Sequence, residues 1–422
     1  MARDLRVIQG QLPTDTTATS YTLGGETRTP TGALVWYSNA NTLNSNASEI
    51  VWSFGVTDFT TQACISCTDE NGVTTTDTSR RADNNLFFVE QSVGGTGISR
   101  SYTVTAVSGG VEITPNTSGS ANRIMLLLVF EAECHAFSAG DGTALSGTFT
   151  TTYSMTDAPN VGILGYNHIG PNGGTDQSAL TFGGFARNGS VFDKGVISLR
   201  SQNNQADGEN HGLFSDDVVA QVQGNNSSTL TEIDIDSVTT TTATFSVSSG
   251  ATMTGDLIGL LINMEGVEVS LGESDSPNST SSDYEHYPGF QPQVVLIGAG
   301  NLTAVNTGVT DSAEAGSFGI VIFDESPSLY SITSSSENGA ATTNTNMRIS
   351  NQFYLFNDGS AVDYRMENPV FTSSGFYFDS ADIDNADATT HKWLVMAIGQ
   401  DTASTGSSSK FSRVSKLGGL LG

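Results

Sequence analysis

PGFQPQVVLIGAG (288–300), SFGIVIFD (317–324), SSGFYFDS (373–380) and KWLVMAIGQ (392–400) form one series in the last third of the chain. Each piece is a short apolar or alternating run bounded by Gly, Pro, Ser or Asn, which is the mark of a strand packed in a β-sheet. Working outward from it, the opening strand of this series has two earlier counterparts. It reads GALVWYS at 32–38, NVGILGY at 160–166 and QVVLIGA at 293–299. The closing strand recurs likewise, as IMLLLVFEA (124–132), DLIGLLINM (256–264) and WLVMAIG (393–399). Both recur at a period of about 130 residues, the size of one domain. The expectation is an all-β chain of three tandem antiparallel β-sandwich modules, at 1–135, 136–265 and 266–401, followed by a short basic C-terminal arm at 402–422.

Within the modules the alternation assigns faces. In EIVWSFGVTD (49–58), Val51, Ser53 and Gly55 face away from Trp52, Phe54 and Val56. The stretches 98–116 and 231–250 read as hairpins, the first turning at Ser-Gly-Gly, with Ile233, Ile235, Phe245 and Val247 pointing inward in the second. The closing strand is apolar on successive positions, so it is expected in the middle of a sheet or covered on both faces. A polar loop recurs after the third strand, near 201–212 and again near 333–347, where a β-sandwich presents binding surface.

Composition narrows the function classes. The chain carries 44 acidic residues against 16 Lys and Arg, a net charge of −28, which repels nucleic acid and anionic lipid. No nucleic-acid or membrane partner is therefore expected. The start, MARDLRVIQGQLP, lacks the apolar core of a signal peptide, and the apolar run at 124–130 is far too short to span a bilayer. A soluble protein made in a cytoplasm is the expectation. Basic residues are unevenly placed, and Lys410, Arg413 and Lys416 lie in the last stretch, GSSSKFSRVSKLGGLLG, where no acid accompanies them. Lys410, Phe411, Arg413, Val414, Lys416 and Leu417 there combine charge with spaced apolar side chains and are candidates for anchoring the chain to a partner.

Few residues suggest chemistry. Cys64 and Cys67 have a Cys-x-x-Cys spacing, but a structural zinc site needs four ligands, and only Cys134 and His135 remain, far along the chain. DSADIDNADATTH (379–391) places Asp379, Asp382, Asp384 and Asp387 in one loop. They read first as a solvated acidic loop and second as candidate calcium ligands, without the order of an EF-hand. The five histidines are scattered. No Gly-x-Ser-x-Gly elbow, His-Glu-x-x-His or phosphate-binding glycine loop occurs, so no enzyme is expected and no cofactor is required.

At the third module a resemblance enters. The pattern carried by Gly289, Phe290, Pro292, Val294, Leu296, Phe318, Gly319, Arg348, Gly375, Phe376, Trp393, Ala397 and Gly399 resembles a β-rich module common in virion proteins of tailed bacteriophages. It covers about 130 residues well and the other two modules loosely. The first module has Thr29, Pro30, Thr31 and Gly32 in place of the Gly-Phe-x-Pro lead-in. The resemblance implies jelly-roll or lectin-like sandwiches and a place in the virion. It implies a tail, fibre or capsid-decoration protein, exposed outside the particle, homo-oligomeric and bound to other virion proteins. The alternative it leaves open is a receptor-binding, lectin-like adhesin whose recurring polar loops hold a host-surface glycan. A polysaccharide depolymerase is the third class, and no motif asks for it.

Overall fold

The computed structural model describes residues 5–401 except 23–26, 96, 120, 141–143, 169–176, 203–204, 206–209, 224–228, 249–252, 265, 311–315, 325–327, 338 and 357–360. The described chain is almost all antiparallel strand, with one 3-10 turn at Ser380–Asp382 near its end.

Three large sheets share one topology. The first runs Leu5–Leu12, Arg123–Phe130, Gly32–Ser38, Ile50–Thr57, Gln62–Asp69, Thr78–Asp83 from edge to edge. The second repeats this order with Glu133–Ala139, Met253–Asn263, Val161–His168, Gln177–Asn188, Val191–Gln202 and Asn210–Ser215. The third repeats it with Val267–Asp275, Lys392–Asp401, Pro292–Gly300, Ser317–Asp324, Leu329–Ser336 and Thr345–Ser350. In each, the closing strand is inserted between the first strand of the module and the opening strand. That central place explains why its sequence is apolar at successive positions. Strand pairing passes to the second sheet at Glu133 and to the third at Val267.

A smaller layer covers one face of each large sheet. In the first two modules it has four strands in equivalent order, and the expected hairpins lie in it, pairing Ile98–Val107 with Gly110–Pro115 and Thr229–Val238 with Thr242–Ser248. In the third module the layer is divided into two three-stranded sheets. Each sandwich closes its own core, around Tyr37, Phe88 and Tyr102 in the first, Phe137, Ile233 and Phe245 in the second, and Phe323, Phe353 and Trp393 in the third.

The modules are not separate beads. The other face of all three large sheets enters one common core, which takes in Trp36, Trp52, Phe54 and Ile65 from the first, Leu180, Phe182 and Ile197 from the second, and Phe318, Ile320 and Ile332 from the third. In that core Trp52 meets Phe318 edge-on with ring centroids 6.3 Å apart. The sheets interlock by size. A Cβ on Gly165 would stand 2.5 Å from Phe54 Cδ1 and 2.9 Å from Ile65 Cδ1, and one on Gly298 would stand 2.6 Å from Ile197 Cγ2 and 2.7 Å from Phe182 Cδ1. The first module thus seats its Phe-Ile pair on a glycine of the second, and the second does the same on the third. The position of Gly165 and Gly298 is held in the first module by Trp36, and the position of Phe54 and Phe182 is held in the third by Ile320.

The sheet edges close the circle. Val309–Thr310, from the third module, adds a short strand to the second sheet at His211 and Gly212. Asn46–Ala47, from the first, does so for the third sheet at Met347 and Arg348. On the first sheet's edge, the Asn167 Nδ2 of the second module donates to the carbonyls of Ser66 and Arg81, each at 3.2 Å. Covering edges in this way removes open strand surface that would otherwise template aggregation.

A shared core predicts shared unfolding. By calorimetry the chain is expected to melt in a single cooperative transition. Gly298→Val, which forces a side chain between Ile197 and Phe182, should lower stability by about 1–3 kcal/mol while leaving the transition single. Three resolved transitions, or a third module that melts alone in the variant, would contradict the shared core.

Candidate functional site on the internal threefold axis

In chain order, the fourth and fifth strands of each large sheet end their pairing at one equivalent register pair, namely Asp69 with Thr78, Ser201 with Asn210 and Ser336 with Thr345. These are the equivalent positions of the three modules, and all six side chains are buried. Asp69, two residues beyond Cys67, lies on the same strand face as Cys67 and Ile65 and so points to the common core. There the hydroxyls of Ser201 and Ser336 act as hydrogen-bond partners of its carboxyl. One equivalent residue from each module therefore meets on the axis that relates them.

The turns that follow are laced together around this triad. Gly72 N–H donates to the Thr343 carbonyl at 2.8 Å and Thr343 N–H to the Val73 carbonyl at 2.9 Å, joining first and third modules. The Thr343 hydroxyl donates to the Glu70 carbonyl at 2.7 Å and accepts from Val73 N–H at 3.0 Å. Between first and second modules, the Thr76 hydroxyl donates to the Gln202 carbonyl at 2.7 Å and accepts from Gln205 N–H at 2.8 Å. Between second and third, Asn210 Nδ2 donates to the Ser336 carbonyl at 2.7 Å. The recurring polar loops near 201–212 and 333–347 thus lead into the seam between modules. Their residues 203, 204, 206–209 and 338 lie outside the described residues.

Burial pushes the Asp69 carboxyl up from 3.8 to about 7, against the pull of the two serine hydroxyls, and the Asp77 charge adds to the rise. On the opposite face of the second sheet, burial and the nearby Arg80 lower the Arg200 guanidinium to about 10, and burial together with Arg200 lowers His211 to about 4. Cys64 and Cys67 are three apart on one strand, so they point to opposite faces. Burial raises both thiols, and neither is in a disulfide. Their geometry cannot make one metal site.

Two other buried polar networks hold packed elements together. In the first module Glu90 accepts from the Tyr37 hydroxyl at 2.6 Å and from Arg123 Nη2 at 2.8 Å, with Arg100 Nε at 3.6 Å. In the third, His391 Nδ1 lies 2.8 Å from the Tyr364 hydroxyl, which lies 2.9 Å from Ser276 Oγ, and Asp387 stands 3.5 Å from Nε2. His391 is only 2% exposed, and this Asp-His-Tyr-Ser chain ties the acidic loop to the core.

The candidate calcium ligands do not converge. Asp379 accepts from Ala381 N–H and opens the 3-10 turn, Asp382 accepts from Asn368 Nδ2, Asp384 pairs with Arg365 at 3.0 Å, and Asp387 faces His391. Among the described residues no group of three or more His, Cys, Asp or Glu is placed to hold a metal. The anchoring candidates Lys410, Phe411, Arg413, Val414, Lys416 and Leu417 lie outside the described residues.

No family model matches the chain, and no curated protein matches it. Among solved structures it is similar to the crystal structure of the LG1-3 region of the laminin alpha2 chain, at 9% identity over 94% of this chain and 97% of that one. The TM-score of that superposition is 0.11, too low to carry an argument about fold or function.

In sequence Asp69 is only the last residue of ACISCTD (63–69), where the two cysteines are the more conspicuous feature. The signal that points to it is positional. Asp69 and Ser336 end their strands and Ser201 is one residue short of the end of its own, each just before a polar turn or loop.

Two measurements check this assignment of roles. Glu90→Ala leaves two buried or half-buried guanidiniums without their shared carboxylate and should cost about 3 kcal/mol in chemical denaturation. A loss near zero would mean the network carries no stability. Millimolar calcium should leave the melting temperature where a chelator leaves it. A calcium-dependent rise would show that the 379–387 carboxylates regroup around the ion.

Proposed function

We propose that this chain is a structural component of a tailed-phage virion, exposed on the outside of capsid or tail, and that it serves there as a pre-assembled trimer-like block. The observation that carries the reading is the cyclic closure of the three modules around one core. A homotrimer places three identical modules about an axis and depends on concentration to stay assembled. One chain with three equivalent modules supplies the same outline without that dependence, which suits a position of threefold or sixfold symmetry on a particle. The net charge of −28 supports it further, since closely spaced copies repel wrong contacts. The resemblance of the third module to phage virion modules supplies the setting.

The adhesin reading requires the polar loops near 201–212 and 333–347 to be free for a glycan. Their described parts spend hydrogen bonds on neighbouring modules, so the structural reading is the better supported.

Purified particles of the phage that encodes the chain provide the test. The chain should be found among their proteins by mass spectrometry at a fixed stoichiometry and be visible on the outer surface by electron microscopy. A chain lacking 402–422 should fold and stay soluble but fail to be incorporated. Absence of the full-length chain from the particles would overturn the reading, and normal incorporation of the truncated chain would remove the anchoring role of the arm.

A further inference from the structure

We propose that the axial seam is a proton-operated latch. With a proton on Asp69 the three modules are locked at this end, and loss of that proton loosens the laced turns around it.

The argument begins with hydrogen accounting. Asn210 Nδ2 donates to the Ser336 carbonyl at 2.7 Å, which fixes the orientation of the amide and turns its Oδ1 to Ser201. The Ser201 hydroxyl donates to that Oδ1 at 2.9 Å. A serine has one proton to give, so the Ser201 hydroxyl divides it between Asn210 Oδ1 and Asp69, which weakens its hold on the carboxylate and leaves Ser336 as the full hydroxyl donor. The protonated acid can in turn donate into the Ser201 lone pairs. Among the described residues Asp69 Oδ1 has no hydrogen-bond partner, and the residue is 1% exposed, so water does not compensate the charged form.

The charged neighbours do not reverse this. On its own strand Cys67 lies two residues back on the same face, and its thiol is raised by burial and by the Asp69 charge. Glu70 follows in the turn, raised by burial and by Asp77 and Glu49. On the paired strand Arg80 shares the core-facing side at the register of Cys67, and Asp77 precedes the strand. From the second module Arg200 and His211, partners in register, stand on the opposite face of their sheet from Ser201 and Asn210. From the third, Ser336 is uncharged, and Glu337 is turned to Asn344, whose Nδ2 donates to it at 2.6 Å. Among the charges that shift Asp69, Asp77 favours the proton.

The sign follows from linkage. The folded value of Asp69, about 7, lies above the ordinary 3.8. The stabilisation is therefore complete below about 4 and is lost as pH rises through about 7. Across that window the constant for opening the seam should rise about tenfold per pH unit and then level off.

Hydrogen exchange of the seam amides in the full chain reads this directly. After division by the intrinsic exchange rate, the amides of Gly72, Thr76, Gln205 and Thr343 should open about tenfold more per unit between about pH 5 and about pH 7. Asp69→Asn keeps the shape and removes the charge, so its seam should stay closed and show no such slope. Equal slopes in the two proteins would overturn the proposal. If the variant fails to fold, infrared spectra of the native chain with labelled aspartate decide the matter. A protonated-carboxyl C=O band present at about pH 5.5 and gone by about pH 9 is expected, since a free aspartate is already ionised at both. Its absence at the lower pH would overturn the proposal.

Discussion

A β-sheet whose strands are apolar on both faces must be covered twice, and this requirement governs the molecule. In strands such as Gly32–Ser38, Ile50–Thr57 and Ser317–Asp324 every residue is buried. The small layer of each module covers one face. Among the described residues nothing within the module covers the other, which carries Trp36, Phe54 and Ile65 in the first copy. A module alone would expose this entire face to water at roughly 25 cal/mol for each Å² of apolar surface. Three such faces turned toward each other solve the problem for all three. The fold is therefore one body with a threefold interior.

The closed circle also explains where the polar residues went. Strands run on past the apolar zone of the core, and at that end their backbone and side-chain polar groups need partners out of water. Thr76, Thr343, Asn210 and Thr345 supply them across module boundaries, each from the turn or strand end that follows the fourth strand. Loops that would crown three independent sandwiches are turned into a seam. A surface role for them and a role in closure compete for the same hydrogen-bonding groups.

The fold was legible in the sequence to the extent that it is local. Alternation in 98–116 and 231–250 gave hairpins, and Ile233, Ile235 and Phe245 are buried as their parity requires. The recurrence of the opening and closing strands marks equivalent strands in three sheets of one topology. Unbroken apolar runs also announced cover on both faces. They could not say what the second cover was, because a buried face looks the same under a small sheet as against another module. Gly165 and Gly298 carried the missing information, but a glycine in a strand reads as a bulge or a weakness until the partner that needs its space is known. The acidic loop misled in the opposite way. Asp379, Asp382, Asp384 and Asp387 are close in sequence, yet the 3-10 turn and short strand send them to four different partners.

The axis shows what joining the modules in one chain makes possible. In a symmetric homotrimer every residue on the axis occurs three times. Three aspartates there would place three carboxyls in one dry site, where like charges and burial together force protons on and leave the acids short of acceptors. Three serines would carry no charge to control. A single chain escapes that constraint and holds Asp69 against Ser201 and Ser336, one acid with two hydroxyls. The same freedom shows at Arg80, whose equivalents by register are Gly212 and Met347, and at Trp36, whose equivalents are Gly165 and Gly298. Each of these sets fits only because its members differ. The repeat gives the molecule its shape, and its departures from repetition lie where the three modules touch.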